Sequence, residues 1–388
     1  MKVLMINVVC GIRSTGRICT DLATELEAEG HEVKIAYGRE NVPEKYKKYA
    51  VRIGTRLDVN LHGIRARMFD DCGFGSNRVT EKFIEWVKKY NPDVIHIHNV
   101  HGYYININIL FDYLRTCGKK IIWTLHDCWA FTGHAAYCES ANCERWKKGC
   151  HDCPKKMDYP VSFKDNSKYN WIKKKKLFDK IPNLKIVTPS EWLASLVKKS
   201  FLSQYEVNVI HNGVDTKVFK PIESDMKNKL GLSDKKIILG VAALWEERKG
   251  LHDFYKLADI LNDEYKIVLV GLSKEQINKL PSNIIGIERT DSVQELVELY
   301  SAAYVYVNPT YEDNYPTTNI EAIACGTPVI TYDTGGSGES AQIFGYVVKK
   351  GRLEDIVKMI REVPTILQKD SQIDSTNFNK AYIDLYGA

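Results

Sequence analysis

The sequence of 388 residues predicts an α/β protein with two doubly wound parallel sheets. The length exceeds that of a typical single compact domain, so two domains are expected. The chain is 44% hydrophobic and 27% charged, which is typical of a globular protein. In both halves, strand-like apolar runs alternate with helix-like segments. Repeated βα units of this kind imply parallel sheets covered by helices on both faces.

In the N-terminal half, the apolar run 3–9 predicts a fully buried strand, because it is continuous and contains β-branched residues. Segment 16–29 places its apolar residues on one helical face, and Gly30 ends that helix. A helix is also predicted over 107–117. Further strands are predicted at 31–37, 93–99, 119–127, 185–190 and 207–213.

The same alternation starts again near residue 234. Segment 214–233 is polar and rich in turn residues, and it is the predicted linker. Strands are predicted at 235–244, 265–272, 283–288, 304–309, 328–333 and 345–348. Helices are predicted near 250–262, 274–280, 292–302, 318–325 and 353–362. Ligands of such proteins usually bind at the carboxyl ends of the strands, and two facing sheets would form a cleft there.

Segment 308–336 carries the most specific chemical signal. A predicted strand leads into an acidic loop with Asp313, and a helix is expected to begin near Thr317. A helix N-terminus offers unpaired N–H groups and a positive dipole end, which suit a diphosphate. Glu321 follows Asp313 by eight residues, so the two carboxylates could hold hydroxyls at both ends of one elongated ligand. The candidate ligand-binding residues are Asp313, Asn314, Tyr315, Pro316, Thr317, Thr318 and Glu321.

Two further loops follow predicted strands. Arg248 and Lys249 come after the strand expected to end at Leu244, where cations could neutralise a diphosphate as it leaves. An ordinary exposed loop is the alternative. Loop 9–17 has glycines only at 11 and 16, so it lacks the dinucleotide fingerprint and is either a phosphate loop or a tight turn.

Segment 308–336 resembles the acidic-x7-acidic motif of retaining glycosyltransferases of family 4, which have the GT-B fold of two Rossmann-like domains facing across a cleft. The resemblance implies that Glu321 holds the donor ribose and that Asp313 contacts the transferred sugar. It also implies diphosphate binding by Lys249. The family usually has Glu at the position of Asp313, which puts the sugar's identity in doubt. It commonly has Arg at the position of Leu244, and Arg248 could substitute.

The resemblance covers nearly the whole chain. It implies that Gly16 brings backbone amides to the donor phosphate and that His126 lies near the transferred sugar. The predicted domains are an N-terminal acceptor-side domain, 1–213, and a C-terminal donor domain, 214–375. The final segment, 376–388, resembles the family's helix that crosses back to the N-terminal domain. In the family, retention of anomeric configuration is usually explained by front-face attack.

Ten cysteines occur in a chain without a recognisable export signal, so reduced thiols or a metal site are expected before disulfides. Within a Cys-rich insert, 128–153, the spacing C-x4-C-x6-C-x2-C matches no standard zinc finger. Its closing C-x2-C could be half of a structural zinc site. The candidate ligands are Cys138, Cys143, Cys150 and Cys153. Reduced thiols are the alternative, and no cofactor is expected for catalysis.

The net charge of +5 conceals an asymmetry, because residues 1–205 carry 34 basic and 22 acidic residues (+12) and the remainder 20 and 27 (−7). A basic half suits an anionic surface or a phosphorylated substrate. Lys173–Lys176, flanked by apolar residues, could form an interfacial helix. We expect a cytoplasmic protein, peripheral at the inner face of the cell membrane, and no nucleic-acid partner.

These observations predict a metal-independent retaining enzyme that moves a hexose-type sugar from a UDP- or GDP-sugar. The expected acceptor is a glycan or lipid-linked glycan in surface polysaccharide assembly. A non-catalytic nucleotide-sugar-binding protein is an alternative, because Asp313 and Leu244 depart from the family pattern. An NAD-dependent nucleotide-sugar-modifying enzyme would require the dinucleotide loop that loop 9–17 lacks.

Overall fold

The computed structural model describes residues 1–363 and 373–387. The chain divides into two compact units. The N-terminal unit comprises Met1–His211 together with Asn379–Ala388, and the C-terminal unit comprises Asn212–Phe378. Each unit contains one parallel sheet. The predicted fold class, two doubly wound α/β units, is therefore confirmed.

The N-terminal unit has a seven-stranded sheet in the order β3-β2-β1-β4-β5-β6-β7. Its strands are β1 (Lys2–Ile6), β2 (Glu32–Tyr37), β3 (Ala50–Arg52), β4 (Val94–Ile97), β5 (Lys120–Thr124), β6 (Leu184–Thr188) and β7 (Val207–Val209). Its helices are α1 (Arg13–Ala28), α2 (Arg56–Phe69), α3 (Asn77–Tyr90), α4 (Ile107–Thr116), α5 (Ser167–Leu177) and α6 (Glu191–Lys198).

The C-terminal unit has a six-stranded sheet in the order β10-β9-β8-β11-β12-β13. Its strands are β8 (Lys236–Val241), β9 (Tyr265–Val270), β10 (Ile284–Ile287), β11 (Val305–Asn308), β12 (Val329–Tyr332) and β13 (Gly345–Val348). Its helices are α7 (Met226–Lys229), α8 (Leu251–Ile260), α9 (Lys274–Ile277), α10 (Val293–Ala302), α11 (Thr317–Ala324), α12 (Ser337–Ala341) and α13 (Leu353–Arg361).

Both faces of the second sheet are buried. Along β8, Ile237 and Leu239 belong to one apolar cluster, whereas Ile238 between them belongs to another. Successive side chains of a strand point to opposite faces, so the two clusters lie on opposite sides of the sheet. Burial on both faces explains why these strands are continuous apolar runs in the sequence.

The chain ends with α14 (Ser375–Gly387), which runs from the C-terminal unit into the N-terminal one. Within the N-terminal unit, the Tyr382 hydroxyl bonds to Thr124 at 2.8 Å, and the Tyr386 hydroxyl bonds to His96 at 2.5 Å. Residue 388 of the predicted segment 376–388 lies outside the described residues.

The observed strands are shorter than predicted at their carboxyl ends. The predicted strand 3–9 stops at Ile6, and the strand predicted to reach Leu244 stops at Val241. Segment 214–233 is more than a linker, because it contains α7 and its residue Phe219 is buried in the core of the C-terminal unit. Among the helices that the structure describes, none is both long and apolar enough to cross a bilayer.

The lysine cluster Lys173–Lys176 is only partly exposed. Lys175 and Lys176 are exposed, but Lys174 is 1% exposed, and its Nζ donates to the carbonyls of Trp129 (2.8 Å) and Thr132 (3.1 Å). Of the flanking apolar residues, Ile172 is 51% exposed and three are buried: Trp171, Leu177 and Phe178. Helix α5 therefore packs one face against the domain, and membrane contact through its exposed side stays a prediction.

We predict that Lys174→Met lowers the free energy of unfolding by about 1–3 kcal/mol, because it leaves two buried carbonyls without their donor. Lys176→Met, on the exposed side of the same helix, is the matched control and should change it by less than about 0.5 kcal/mol. Urea denaturation followed by tryptophan fluorescence measures both. Equal effects of the two substitutions would contradict the internal role of Lys174.

Candidate active site

Helix α11 begins at the carboxyl end of β11, as the sequence predicted. Pro316 occupies the N-cap position with extended backbone angles, and no side chain caps the helix there. The first turn contains no acidic residue, and its two threonines, Thr317 and Thr318, are partly exposed. The N–H groups and the positive end of the helix dipole are thus available to an anion.

An ion pair stands beside this helix start. The Lys249 ammonium lies 2.5 Å from the Asp313 carboxylate, and the exposed fractions of the two side chains are 22% and 14%. Burial opposes ionisation of Asp313, but Lys249 and Arg248 outweigh it and hold the pKa of this carboxyl below its ordinary value. Arg248 also donates to the Glu312 carbonyl at 3.2 Å. Two cations therefore converge on the acidic loop.

Two glycines permit the close approach of these loops. Gly250 has φ of 75°, and a Cβ there would lie 2.1 Å from the Pro309 carbonyl oxygen. Gly335 has φ of 55°, and a Cβ there would lie 1.8 Å from the Asp313 carbonyl oxygen. Any other residue at either position would both strain the backbone and displace the segment that carries Asp313.

Glu321 is only 3% exposed, and its Oε2 accepts a hydrogen bond from the Tyr300 hydroxyl at 3.1 Å. Glu321 therefore does not lie on a solvent-exposed face of α11. Tyr306 lies within electrostatic range of both Glu321 and Asp313, and burial raises its pKa above the ordinary value, with the two carboxylates adding to the shift. The two acidic residues thus belong to one site within the C-terminal unit.

The other predicted loop residues have different degrees of exposure. Asn314, Tyr315 and Pro316 are buried, so their side chains shape the loop. Glu312, the carboxylate next to Asp313 in the acidic loop, is 1% exposed and is less accessible than Asp313.

Sequence reasoning missed three residues that support this site. Asn212 donates to the Tyr315 carbonyl at 3.0 Å, so a residue outside segment 308–336 holds the acidic loop. Asn319, fully buried, accepts from Asn308 at 2.8 Å and donates to Ser340 at 2.9 Å. Asp253 accepts from two tyrosine hydroxyls, Tyr311 and Tyr332. Of these three residues, only Asn319 could have been suspected from the sequence, because it is an amide within an apolar helix.

In the N-terminal unit, the structure corrects the position of Gly16. Helix α1 begins at Arg13, so Gly16 lies in its first turn and not in the preceding loop. A Cβ on Gly16 would lie 3.0 Å from Val9 Cγ2 and 3.2 Å from the Gly11 nitrogen. Gly16 therefore allows close packing of helix against loop. Gly11, with φ of 74°, is the glycine that the turn itself requires.

Four histidines cluster near the carboxyl ends of β4 and β5: His96, His98, His101 and His126. His126 Nε2 lies 3.0 Å from His98 Nδ1, and His101 Nε2 lies 2.9 Å from the Asp127 carboxylate. Burial lowers the pKa of His126 to about 4, although Asp127 acts in the opposite direction. His96 is a core residue, bonded to Thr124 and Tyr386. The partly exposed His126 is thus a neutral imidazole at physiological pH.

The predicted zinc ligands meet around one cavity of about 20 Å³ in the N-terminal unit. Cys138, Cys143, Cys150 and Cys153 all line it and are free thiols. In the described ranges, no three ligand-type side chains already form a complete metal-binding group. Cys128, the fifth cysteine of the insert, is buried in the apolar core.

The structure therefore divides the predicted site residues between the two units. Arg248, Lys249, Asp313–Thr318 and Glu321 come together in the C-terminal unit, whereas Gly16, His126 and the four cysteines lie in the N-terminal unit.

Two family models match the chain. The model described as Glycosyltransferase Family 4 matches residues 15–218, which is more than half of the chain. The model described as Glycosyl transferases group 1 matches residues 222–375.

Among curated proteins, the chain is 24% identical to WcaC of Escherichia coli, provisionally named a colanic acid biosynthesis glycosyl transferase. That match covers 89% of this chain and 86% of WcaC. It is 32% identical to the N,N'-diacetylbacillosaminyl-diphospho-undecaprenol alpha-1,3-N-acetylgalactosaminyltransferase of Campylobacter jejuni, over 38% of this chain and 42% of that protein.

Solved structures share the fold. HepE of Anabaena, solved with UDP-glucose, matches with a TM-score of 0.69 and 13% identity over 100% of this chain and 99% of that chain. WaaG, described as a glycosyltransferase involved in lipopolysaccharide biosynthesis, matches with a TM-score of 0.63 and 14% identity over 98% and 95% of the two chains. These likenesses confirm the predicted GT-B fold class.

We predict that the His126 imidazole titrates near pH 4 and not near its ordinary pKa of 6.5. Since burial disfavours the charged form, the folded protein takes up this proton only at low pH, whereas the unfolded chain takes it up below about pH 6.5. His126 therefore lowers stability as the pH falls from 6.5 towards 4. Histidine-labelled NMR, with the resonance assigned by His126→Gln, measures the midpoint. A midpoint near 6.5 would contradict the buried environment.

Proposed function

Because the chain belongs to glycosyltransferase family 4, we propose that it is a retaining, metal-independent enzyme that transfers a hexose-type sugar from a UDP- or GDP-sugar. The chain is a glycosyltransferase of glycan biosynthesis. The proposed acceptor is a glycan or lipid-linked glycan in surface polysaccharide assembly. The observation that carries the proposal is the uncapped start of α11 with the Lys249–Asp313 pair beside it.

The proposed donor pose follows from the charges in the C-terminal unit. The diphosphate binds at the N–H groups of Thr317 and Thr318, where the helix dipole favours negative charge. Lys249 and Arg248 provide the positive charge that a divalent ion would otherwise supply. Glu321, as a buried acceptor, holds the ribose hydroxyls.

The proposed reaction breaks the bond between the sugar's anomeric carbon and the phosphate oxygen. An acceptor hydroxyl attacks the same face, and the departing phosphate oxygen takes the proton of that hydroxyl. Negative charge grows on the diphosphate as the bond breaks, and Lys249 stabilises it. Retention of configuration follows from attack on the face that the phosphate leaves.

Asp313 is the proposed determinant of sugar choice. An aspartate at this position is shorter by one methylene than glutamate, and Lys249 keeps it ionised and fixed in place. An ionised carboxylate accepts hydrogen bonds from sugar hydroxyls and donates none. In the N-terminal unit, His126 is the proposed substrate-orienting residue, because a neutral imidazole can accept one hydrogen bond and donate another.

A lipid-linked acceptor is supported by an exposed apolar surface on the N-terminal unit. On α2, Leu57, Leu61, Ile64 and Met68 are between 51% and 66% exposed, and their spacing places them on one helical stripe. The opposite face, with His62 and Ala66, is buried. Phe163, 65% exposed, lies at the end of α2, where its N–H bonds to the Arg67 carbonyl.

This α2 surface combines apolar side chains with positive charge. Arg56, Arg67 and Lys164 are exposed along it. Such a combination favours the interface of an anionic membrane. We therefore propose that the α2 surface, and not the partly buried lysines of α5, contacts the inner face of the cell membrane. The Campylobacter relative named above acts, by its name, on an undecaprenol-linked sugar, and this agrees with a lipid-linked acceptor.

We predict that Lys249→Met lowers kcat/KM by about 100–1,000-fold, because it removes charge stabilisation from the leaving diphosphate. Glu321→Ala should weaken donor binding by about 10–100-fold through loss of a charged acceptor. The donor is identified first, with a panel of UDP- and GDP-sugars assayed in EDTA. The assay measures turnover and the anomeric configuration of the product, and the variants are then compared with that donor.

Lys279→Met and Glu275→Gln are matched controls for these variants, because their side chains form an exposed ion pair in the same unit. Both should retain full activity. Nucleotide-sugar binding without turnover would favour a non-catalytic binding protein instead. Complete loss of activity in EDTA with the fold intact would contradict metal independence, and inversion of configuration would contradict the mechanism.

We predict that Leu61→Glu/Ile64→Glu reduces sedimentation with anionic phosphatidylglycerol vesicles by at least about tenfold, because two charges enter the apolar stripe. Ile260 is 49% exposed on α8 in wild type, and the control variant Ile260→Glu should leave vesicle binding unchanged. Vesicle binding equal to wild type in the α2 variant would overturn the membrane contact. In a detergent-solubilised assay the variant should retain turnover, which separates this contact from the chemistry.

A further inference from the structure

The Cys-rich insert contains a built cavity that the proposed transfer reaction does not use. Four cysteines that are spread over sixteen residues of sequence line this single space of about 20 Å³. A volume of this size holds an occupant comparable to one water molecule. The thiols belong to one electrostatic group, because the other three each add to the pKa-raising effect of burial on Cys138. The chain therefore folds these four thiols around an ion-sized space.

Two of the four sulfurs already accept backbone hydrogen bonds. The Gly133 N–H donates to Cys150 Sγ at 3.2 Å. The Lys155 N–H donates to the Cys153 thiol, two residues before it. N–H donors of this kind orient sulfur ligands and stabilise their thiolate form. The closing C-x2-C pair is thus held in place by backbone N–H donors.

The cavity wall also contains a buried polar atom that lacks a partner. His134 Nε2 is buried and has no hydrogen-bond partner among the described residues, and His134 lines the cavity. The other ring nitrogen of His134 bonds to the Asp70 carboxylate. A buried polar atom without a partner is rare in native proteins, and this one makes the cavity wall polar and not purely apolar.

Charged side chains of both signs surround the thiols. Arg145 and Lys155 line the cavity, whereas Asp165 and Asp70 lie close enough to raise the pKa of Cys153. A purely apolar void would require no such charges.

A disulfide is not formed among the four thiols. All four are free cysteines in the structure.

We propose that Cys138, Cys143, Cys150 and Cys153 bind one zinc ion as a structural site. Four thiolates form the ligand set that Zn²⁺ prefers in closed, tetrahedral sites. Binding would release the thiol protons, because the thiolate is the form of cysteine that coordinates a metal.

The site would stabilise a segment with little regular structure of its own. Between β5 and α5, the described elements include only the short 3-10 turn Arg145–Lys147. Ordering such a segment has a large entropic cost, which metal binding can offset. The same segment carries Tyr137, whose hydroxyl donates to the His126 carbonyl at 3.5 Å. Zinc would thereby also support the histidine cluster, whatever reaction that cluster serves.

The test is the metal content of the purified full-length chain, measured by inductively coupled plasma mass spectrometry. We expect about one zinc per chain in wild type, and at least about a fivefold reduction in Cys150→Ser and Cys153→Ser. Cys117→Ser, outside the cavity, should retain the metal. His134→Ala should also retain it, because the histidine is not one of the four ligands. In wild type, release of zinc by a thiol reagent should lower Tm.

Wild-type protein that folds with four alkylatable thiols and no zinc, even after reconstitution with ZnCl₂, would overturn the proposal. Detection of a disulfide among the four by mass spectrometry would overturn it as well. If His134→Ala lost zinc while one of the cysteine variants kept it, the four-cysteine ligand set would be wrong. None of these results depends on the transferase activity, so the two proposals fail separately.

Discussion

The Lys249–Asp313 ion pair is the interaction on which the candidate site depends. It joins the loops that follow two adjacent strands, β8 and β11, at the shared carboxyl edge of the sheet. Burial opposes ionisation of Asp313, but the neighbouring cations and the Asn314 N–H outweigh it and hold the pKa of this carboxyl below its ordinary value. Gly250 and Gly335 allow the backbone to approach closely enough for the pair to form. The loop after β11 ends at the uncapped start of α11, so the pair also helps to position the proposed diphosphate-binding site.

The fold was predictable because both faces of each sheet are buried, which produces long apolar runs in the sequence. The strand ends were overestimated for the same reason. Val9 lies beyond the end of β1 and is still buried, so the apolar run continues after the hydrogen-bonded ladder stops. Helix α2 was missed because its apolar stripe faces outward and its buried face holds only His62 and Ala66. The helical spacing of the apolar residues in α2 therefore does not indicate a face that packs in the core.

The proposed donor residues were also largely predictable, because a strand, an acidic loop and a helix start follow one another within fourteen residues of sequence. Their supporting contacts were not. Asn212 lies more than a hundred residues before the Tyr315 carbonyl that it holds, and no local pattern reveals such a pairing. Lys174 was read as part of a surface charge cluster, although its ammonium is enclosed by two carbonyls and the Trp129 ring. Sequence spacing gives the residue types of a site, but long-range packing decides which of them point inward.

The central claim is that the start of α11 binds the diphosphate of the donor without a metal ion. A crystal structure of the chain with UDP or GDP, whichever binds, tests it directly. The account predicts phosphate oxygens within about 2.7–3.2 Å of the Thr317 or Thr318 N–H and of Lys249 Nζ, with the ribose hydroxyls on Glu321. A nucleotide bound elsewhere, or a divalent ion bridging the diphosphate in place of the two cations, would contradict it.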